Sequence, residues 1–174
     1  MRSIIVFLFV LVGTFLIDQG IKTWAVESAY AIAEENPMHT APITEESLIG
    51  TTLVKGKYID LELHFNKGVA FSMFAFLGPY MKWIQGGLVL LLLFIIFKEK
   101  YLTRYAFPAG LLIGGAIGNV YDRFYHIGVV DYVAWHYTFN YAIFNYADVM
   151  IDIAFVIILG MILLMPKKPK ISVG

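Results

Sequence analysis

The 174-residue sequence lacks cysteine and is poor in charge. The absence of cysteine excludes disulfides, thiolate nucleophiles and thiolate metal sites, and it leaves the redox compartment unreadable. Charged residues make up 15% of the chain, against roughly 25% in an average globular domain. Basic and acidic residues number 13 each, so no net field is available to recruit nucleic acid. The sequence is instead 59% hydrophobic and 16% aromatic, with a mean hydropathy of +0.72, which indicates a membrane protein.

Several catalytic signatures are missing as well. There is no His-Glu-x-x-His motif, and the four histidines are scattered over separate loops, so a zinc peptidase or another metal site is disfavoured. Ser72 has no Gly-x-Ser-x-Gly elbow, and no phosphate-cradling loop occurs. We therefore expect no metal and no cofactor, and the chemistry left to the chain is that of carboxylates and amides.

Four apolar runs predict membrane helices: Ser3 to Ile17, Trp83 to Phe97, Tyr105 to Tyr121 and Ile153 to Met165. Each is shorter than the roughly 20 residues needed to cross a bilayer, so each must extend through polar residues at one end. With these extensions the predicted spans are about 3–25, 78–97, 105–123 and 146–165. In up-down order all four polar ends fall on one side of the membrane, which indicates one polar cavity that opens to one face.

The charges at the opposite helix ends predict the orientation. Seven basic residues and one acid occupy these short segments: Arg2, Lys98, Lys100, Arg104, Lys167, Lys168 and Lys170, with Glu99. The positive-inside rule places them, together with both termini, in the cytoplasm. The stretch from Glu27 to Lys82 holds four lysines and seven acids and is expected outside. The polar cavity then faces outward.

The region between the first two spans, residues 27–77, is expected to form a small sheet outside the membrane. Tyr58 to Phe65 alternates polar and apolar residues, as a half-buried strand does. Asn66-Lys67-Gly68 is typical of a tight turn, and residues 69–76 could return as a second strand. The aromatic segment 131–145 predicts a short interfacial helix. The expected fold is a single all-α polytopic membrane domain, residues 1–174, with four transmembrane helices, a small extracytoplasmic β-sheet and this interfacial helix.

Two carboxylates are candidate catalysts. Asp131 follows Gly128-Val129-Val130 at the outer edge of the third span, and Asp148 lies at the outer start of the fourth. If they meet in a poorly hydrated cleft, one would keep its proton while the other activates water, as in aspartic proteases. The alternative is that both are interfacial carboxylates that cap helices, for which Asp148 is well placed. Asp152, one turn below Asp148, is a rival carboxylate without an obvious partner.

The other polar residues at the helix ends have two interpretations. Asn119 and Arg123 share one helical face beside Asp122, and these residues could bind substrate or form a local ion pair at the end of the span. Asp18 and Lys22 are four residues apart and could pair. Close helix packing is predicted by the small-residue spacing at Gly114, Gly115 and Gly118.

Five sequence blocks occur in order between Asp18 and Ala154. They are Asp18-Gln19-x-x-Lys22, Asn66-Lys67-Gly68-Val69-Ala70-Phe71-Ser72, Gly114-Gly115-Ala116-Ile117-Gly118-Asn119-x-x-Asp122-Arg123, Gly128-Val129-Val130-Asp131 and Phe144-Asn145-x-Ala147-Asp148. Together they resemble the blocks of the bacterial lipoprotein signal peptidases (type II signal peptidases), a family of aspartic intramembrane peptidases. Val69 stands where the family usually has Ala, Ala154 where we expect Gly, and the stretch from Glu27 to Lys57 is longer than usual.

The resemblance implies an endopeptidase that cuts signal peptides from prolipoproteins just before the diacylglyceryl-modified cysteine, at the outer face of the bacterial cytoplasmic (inner) membrane. The family's catalytic dyad maps onto Asp131 and Asp148. Substrate-binding or site-supporting roles map onto Asp18, Lys22, Asn66, Gly68, Asn119, Asp122, Arg123 and Asn145. The implied partners are diacylglyceryl-modified prolipoproteins and membrane lipid, with no nucleic acid, and the protein is expected to be a monomer.

Two other function classes remain open from the residues alone. A small transporter or proton-relay subunit would also line a path with buried Asp, Arg and Asn, and a non-catalytic membrane scaffold would need none of them. A transporter should carry polar groups through the full bilayer depth, whereas the inner halves of all four runs are apolar. That distribution favours the enzyme.

Overall fold

The computed structural model describes residues 1–36, 41–68, 77–137 and 142–164, and within these ranges five helices and three strands follow one another. In chain order they are α1 (Arg2–Glu34), α2 (Glu45–Leu48), β1 (Thr51–Val54), β2 (Ile59–Asn66), α3 (Gly78–Lys98), α4 (Leu102–Tyr125), β3 (Val129–Trp135) and α5 (Tyr146–Leu163). The described part of the protein is therefore mostly helical, with one small sheet.

Three of the long helices, α1, α3 and α5, are long and apolar enough to cross a membrane. Their surfaces expose large apolar side chains such as Phe9, Leu90 and Leu163, as helices surrounded by lipid do. The predicted span at 105–123 forms α4, a 24-residue helix that is not among the three. Its lower hydropathy follows from its position, because α4 packs against α1, α3 and α5 and carries glycine and polar residues on the packed faces.

Glycine allows α4 to approach its neighbours closely. A methyl group on Gly114 would collide with the carbonyl oxygen of Leu11 in α1, and one on Gly118 would collide with the Asp18 carboxylate. On another side of the helix, Gly115 faces the carbonyl oxygen of Ala147 in α5. The predicted close packing at these small residues is confirmed, and it brings the polar ends of α1, α4 and α5 together.

The three strands form one antiparallel sheet in the order β1-β2-β3. β2 confirms the strand predicted from the alternating pattern, and its Leu63 and Phe65 are buried against α1. In the register between β2 and β3, His64 lies opposite Asp131 and Asn66 lies opposite Val129. The sheet thus carries Asn66 and Asp131 on neighbouring strands. The second strand predicted at 69–76 lies outside the described residues.

The interfacial helix predicted within 131–145 is wrong for the first part of that segment. β3 occupies Val129–Trp135 instead, because its β-branched and aromatic residues suit a strand that pairs with β2. After the gap at 138–141, which lies outside the described residues, Phe144 forms a β-bridge back to Val133. Aromatic composition indicated a surface location but did not distinguish a helix from a strand. The stretch 27–57, treated as a loop, also forms α2 and β1.

Candidate active site

Asp131 and Asp148 reach one cavity from different elements. Asp131 is in β3 and only 3% exposed, and Asp148 is in the first turn of α5. Both carboxylates and Asn66 of β2 line a cavity of about 660 Å³. Most of its remaining lining is apolar and runs down α5 as far as Ile157. The cavity therefore places two carboxylates at the head of an apolar groove.

The Asn145 side chain connects the two carboxylates. Its Nδ2 donates a hydrogen bond to Oδ1 of Asp131 at 2.7 Å and another to Oδ1 of Asn119 at 3.1 Å. Its backbone N–H donates to Oδ2 of Asp148 at 3.2 Å, and its Oδ1 accepts from the Asp148 N–H at 3.0 Å. These last two bonds form a capping box at the start of α5, so the predicted capping role of Asp148 is present beside its position in the cavity.

Asn119 is the second amide partner of the pair. Its Nδ2 donates to Oδ1 of Asp148 at 2.8 Å. Its Oδ1 accepts hydrogen bonds from Lys22 Nζ at 2.8 Å and from Asn145. Because an amide has separate donor and acceptor ends, Asn119 joins a carboxylate on one side to an ammonium on the other.

The environment of Asp131 favours its protonated form. Burial, and after it the neighbouring Asp148 carboxylate, raise the pKa of Asp131 to about 7, against opposing hydrogen bonds from Asn66 and Asn145 and the charge of Lys22. Near neutral pH a substantial fraction of Asp131 therefore keeps its proton. This is the condition under which two neighbouring carboxyl groups can act as acid and base together.

A buried ion-pair cluster lies next to these carboxylates. Lys22 Nζ is 2.7 Å from Oδ2 of Asp18 and 2.7 Å from Oδ2 of Asp122, and each of the three residues is at most 1% exposed. The predicted pairing of Asp18 with Lys22 is confirmed. Asp122 takes Lys22 as its partner rather than Arg123, because α4 packs closely against α1 at this level.

The same cluster holds the backbone on which both candidate catalysts lie. Asp18 Oδ1 accepts a hydrogen bond from the N–H of Ala147 at 3.1 Å, and Asp122 Oδ2 accepts one from the N–H of Val130 at 3.1 Å. Ala147 directly precedes Asp148 and Val130 directly precedes Asp131. The ion pairs therefore fix the relative position of the two chain segments that bring the carboxylates to the cavity.

Gln19 is a member of this network that the sequence reasoning did not single out. Its Nε2 donates to Asp122 Oδ1 at 2.9 Å, to Asp18 Oδ2 at 3.2 Å and to the carbonyl oxygen of Gly118 at 3.4 Å. The available signal was its place beside Asp18 in the first sequence block. The sequence reasoning also did not single out Tyr132, whose hydroxyl accepts a hydrogen bond from the N–H of Tyr146 at 3.1 Å.

Arg123 ties α4 to the turn that follows β2. One of its terminal nitrogens donates to the carbonyl oxygen of Gly68 and the other to the carbonyl oxygen of Asn119 at 3.1 Å. The Gly68 N–H donates to Oδ1 of Asn66 at 3.0 Å, which closes the turn. The predicted common face of Asn119 and Arg123 is confirmed, and through it Asn66 and Gly68 join the same network.

Asp152 borders the cavity but not the network. Its side chain is exposed, and among the described residues it makes no hydrogen bond or ion pair. Within the ranges that the structure describes, no group of three or more histidine, aspartate or glutamate side chains is placed to hold a metal ion. The chemistry that this arrangement offers is carboxylate acid–base chemistry beside an apolar groove.

Comparison with known proteins connects this geometry to a family. The family model described as Signal peptidase (SPase) II matches residues 10–164. The lipoprotein signal peptidase of Sulfurovum sp. (strain NBC37-1) is 53% identical over 168 residues, which cover 97% of this chain and 99% of that protein. The protein of the same name from Sulfurimonas denitrificans is 43% identical, and the match covers 97% of this chain and 92% of that protein. The one from Helicobacter pylori (strain Shi470) is 40% identical, and the match covers 98% of this chain and 96% of that protein.

Two solved structures share the fold. Both are described as bacterial membrane enzymes whose structures were obtained by the in meso method. One is 22% identical with a TM-score of 0.65, and the match covers 97% of this chain and 94% of that one. The other is 25% identical with a TM-score of 0.60, and the match covers 95% and 94%. The arrangement of helices and sheet is thus one already found in membrane enzymes.

Proposed function

The chain belongs to the signal peptidase II family, and from this premise we propose that it removes signal peptides from prolipoproteins with an aspartate dyad, Asp131 and Asp148. The assignment of the dyad rests on one observation: Asp131 and Asp148 line the same cavity, of about 660 Å³. Both are held there by hydrogen bonds from amides. Neutral partners leave a carboxyl group free to exchange protons, as an acid–base catalyst must.

In the proposed reaction Asp148 is the base and Asp131 the acid. Asp148 accepts hydrogen bonds from Asn119 Nδ2 and from the Asn145 N–H, which favour a charged carboxylate. It takes a proton from water as the water oxygen attacks the peptide carbonyl carbon, while the Asp131 proton stabilises the developing oxyanion. The tetrahedral intermediate then collapses, the C–N bond breaks and the leaving amine takes a proton from the dyad. The products are the signal-peptide carboxylate and a free α-amino group.

The apolar groove suits a lipidated substrate. Below the dyad it is lined by side chains of α5, among them Ile153, Val156 and Ile157. We propose that the diacylglyceryl chains of the substrate cysteine lie along this face, so that the bond before the cysteine comes to the carboxylates. Asn66, Gly68 and Arg123, joined at the turn after β2, would position the substrate backbone. The cluster of Asp18, Lys22, Asn119, Asp122 and Asn145 would support the site, since its bonds hold both dyad segments.

We propose that α4 is a fourth span beside α1, α3 and α5. The termini would be cytoplasmic and the sheet and cavity would face the outside of the bacterial inner membrane. The basic residues at the far ends of the helices support this orientation. Cleavage sites emerge on that outer side, and water enters there through the polar helix ends. The protein would act as a monomer.

The test is cleavage of a diacylglyceryl-modified prolipoprotein peptide by the purified full chain and by its Asp131→Asn and Asp148→Asn variants. Each variant is expected to lose at least about 10³-fold in rate, as loss of one member of a catalytic unit does. Asp60→Asn, on the neighbouring strand β2, is the matched control and should cleave normally. Thermal unfolding of each variant reports whether it is folded. Turnover near the wild-type rate in either dyad variant would refute the assignment.

A further inference from the structure

A second cavity, of about 440 Å³, lies where α3 begins and α4 ends. It is lined by Lys67, Lys82 and Arg123, by the first residues of α3, and by Ile127 and Gly128. None of these residues lines the dyad cavity. It is therefore a separate concavity, which shares Arg123 with the residues proposed to position the substrate.

The charge of this cavity is unbalanced. Three of the described lining residues are cationic and none is acidic. Lys67 Nζ is 4.0 Å from Oε1 of Glu46, and both side chains are more than half exposed. Such a pair contributes about 0–1 kcal/mol, so it leaves Lys67 available. Both terminal nitrogens of Arg123 donate hydrogen bonds to carbonyl oxygens, while its Nε is buried without a hydrogen-bond partner among the described residues.

The start of α3 adds to this positive character. Gly78 and Pro79 begin the helix and line the cavity. Pro79 has no N–H, but the other N–H groups of a first helical turn have no partner within the helix, and together with the helix dipole they favour an anion. Lysine, arginine and a helix start around one cavity are the donors that phosphate groups use.

Exposed aromatic side chains lie beside the cavity, as they do near lipid headgroups. Lys82 Nζ lies 5.1 Å from the ring centre of Phe124 and 6.0 Å from that of Trp83. The rings of Trp83 and Phe124 contact edge to face at 5.3 Å, and Trp83 is 65% exposed. Tyr80 and Tyr125 beside them are exposed as well. Exposed aromatic residues at the ends of apolar helices are typical of the bilayer interface.

We propose that this cavity binds the phosphate of an anionic phospholipid headgroup, with the acyl chains lying along the exposed aromatic face of α3 and α4. Lys67, Lys82 and Arg123 would share the phosphate charge. Because these residues come from the turn after β2, from α3 and from α4, the lipid would join α3 to two elements that carry residues of the proteolytic site, Asn66 of β2 and Asn119 of α4. The site is independent of the cleavage chemistry and would exist whether or not the dyad assignment holds.

Native mass spectrometry of the purified full chain tests this site. The protein is titrated with phosphatidylglycerol, with zwitterionic phosphatidylcholine of the same acyl chains, and with inorganic phosphate. The Lys67→Gln/Lys82→Gln variant is expected to bind phosphatidylglycerol at least about tenfold more weakly than wild type, because two charge-assisted contacts are lost. Lys67→Arg/Lys82→Arg should restore binding, since it restores both charges.

The matched control is Lys98→Gln/Lys100→Gln, which removes the same two charges at the other end of α3, where Lys98 likewise lies over an aromatic ring, that of Phe94. This control should bind phosphatidylglycerol as wild type does, and an equal loss in both variants would overturn the proposal. Phosphatidylcholine bound as tightly as phosphatidylglycerol would do the same, since it would mean that the acyl chains alone are recognised. Displacement of the lipid by inorganic phosphate at equal concentration would show that the cavity binds a free anion. That result would also overturn the proposal of a lipid site. Binding is measured without substrate, so the outcome is separate from that of the cleavage test.

Discussion

Two pairs of carboxylates belong to one hydrogen-bond network, and their partners differ in kind. Asp18 and Asp122 share the ammonium of Lys22 at 2.7 Å each, and all three residues are at most 1% exposed. Asp131 and Asp148 are bonded to neutral amides and border a cavity. The first pair is compensated by a cation and closed to solvent. The second has no cation within hydrogen-bond distance among the described residues and is open.

The difference explains how one small region can be both rigid and reactive. A buried carboxylate next to an ammonium is held in one position and serves as a fixed hydrogen-bond acceptor, here for the N–H groups of Ala147 and Val130. A carboxyl group held by amides keeps its position and can still gain or lose a proton. Asp18 and Asp122 thus hold the two backbone segments that carry Asp148 and Asp131. Changes in the two pairs should accordingly affect different measurements.

Lys22→Met should produce the largest effect on stability. The substitution leaves the Asp18 and Asp122 carboxylates buried without their cation, and removing one partner of a buried pair costs about 3–5 kcal/mol. We expect a loss of this size in the free energy of unfolding, measured by denaturant titration in detergent, together with loss of cleavage because the dyad segments are no longer held. Lys98→Met, an exposed lysine at the far end of α3, is the matched control and should unfold as wild type does. A Lys22→Met protein as stable as wild type would remove the distinction between the two pairs.

The elements of this region that could be predicted from the sequence are those set by local pattern. Apolar runs predict the bodies of the four long helices, and strict alternation predicts β2, because each reports which face a single element buries. Asp18 and Lys22 are four residues apart on one helix, so their contact also follows from local geometry. The glycines of α4 indicate close packing for the same reason. They do not reveal which side chain lies opposite.

What could not be predicted depends on contacts between distant segments. Lys22 meets Asp122, a hundred residues away, only because α4 packs tightly on α1. β3 is a strand because β2 is available to pair with it, whereas its aromatic residues alone also suit an interfacial helix. Gln19 bridges the carboxylates of Asp18 and Asp122, and no rule of sequence spacing connects Gln19 with Asp122. The roles of the dyad residues stay a prediction, based on family resemblance and the shared cavity.

The pH dependence of Asp131 sharpens the comparison further. Burial, and then Asp148, raises the pKa of Asp131 from its ordinary value of 3.8 to about 7 in the folded protein. If Asp131 is the acid, kcat/KM should fall about tenfold per pH unit above that value, as a single required proton is lost. A pH–rate profile at constant ionic strength measures this fall. The apparent pKa read from the falling part of the profile belongs to the pair of carboxyl groups rather than to one residue. A kcat/KM that stays constant well above neutral pH would contradict the acid role.

The same pKa also predicts a change in stability. Between pH 3.8 and about 7 the folded protein holds a proton on Asp131 that the unfolded chain has released. The stabilisation from that proton is complete below this range and is lost as pH rises through about 7. Asp131→Asn does not titrate, so its Tm relative to wild type should rise between pH 5 and pH 8. A relative Tm independent of pH would show that Asp131 ionises in the folded state as it does in the unfolded one.

Asp152→Asn should produce the smallest effect. Asp152 lies one turn below Asp148 and borders the same cavity, but it is exposed and makes no hydrogen bond or ion pair with the described part of the network. An exposed charge contributes about 0–1 kcal/mol, so the cleavage rate should change by less than about fivefold. Asp148→Asn, the same substitution one turn above, is the matched comparison and should abolish cleavage. If Asp152→Asn loses cleavage while folded and Asp148→Asn retains it, the base is the exposed carboxylate, and amide bonding is not what distinguishes the reactive pair.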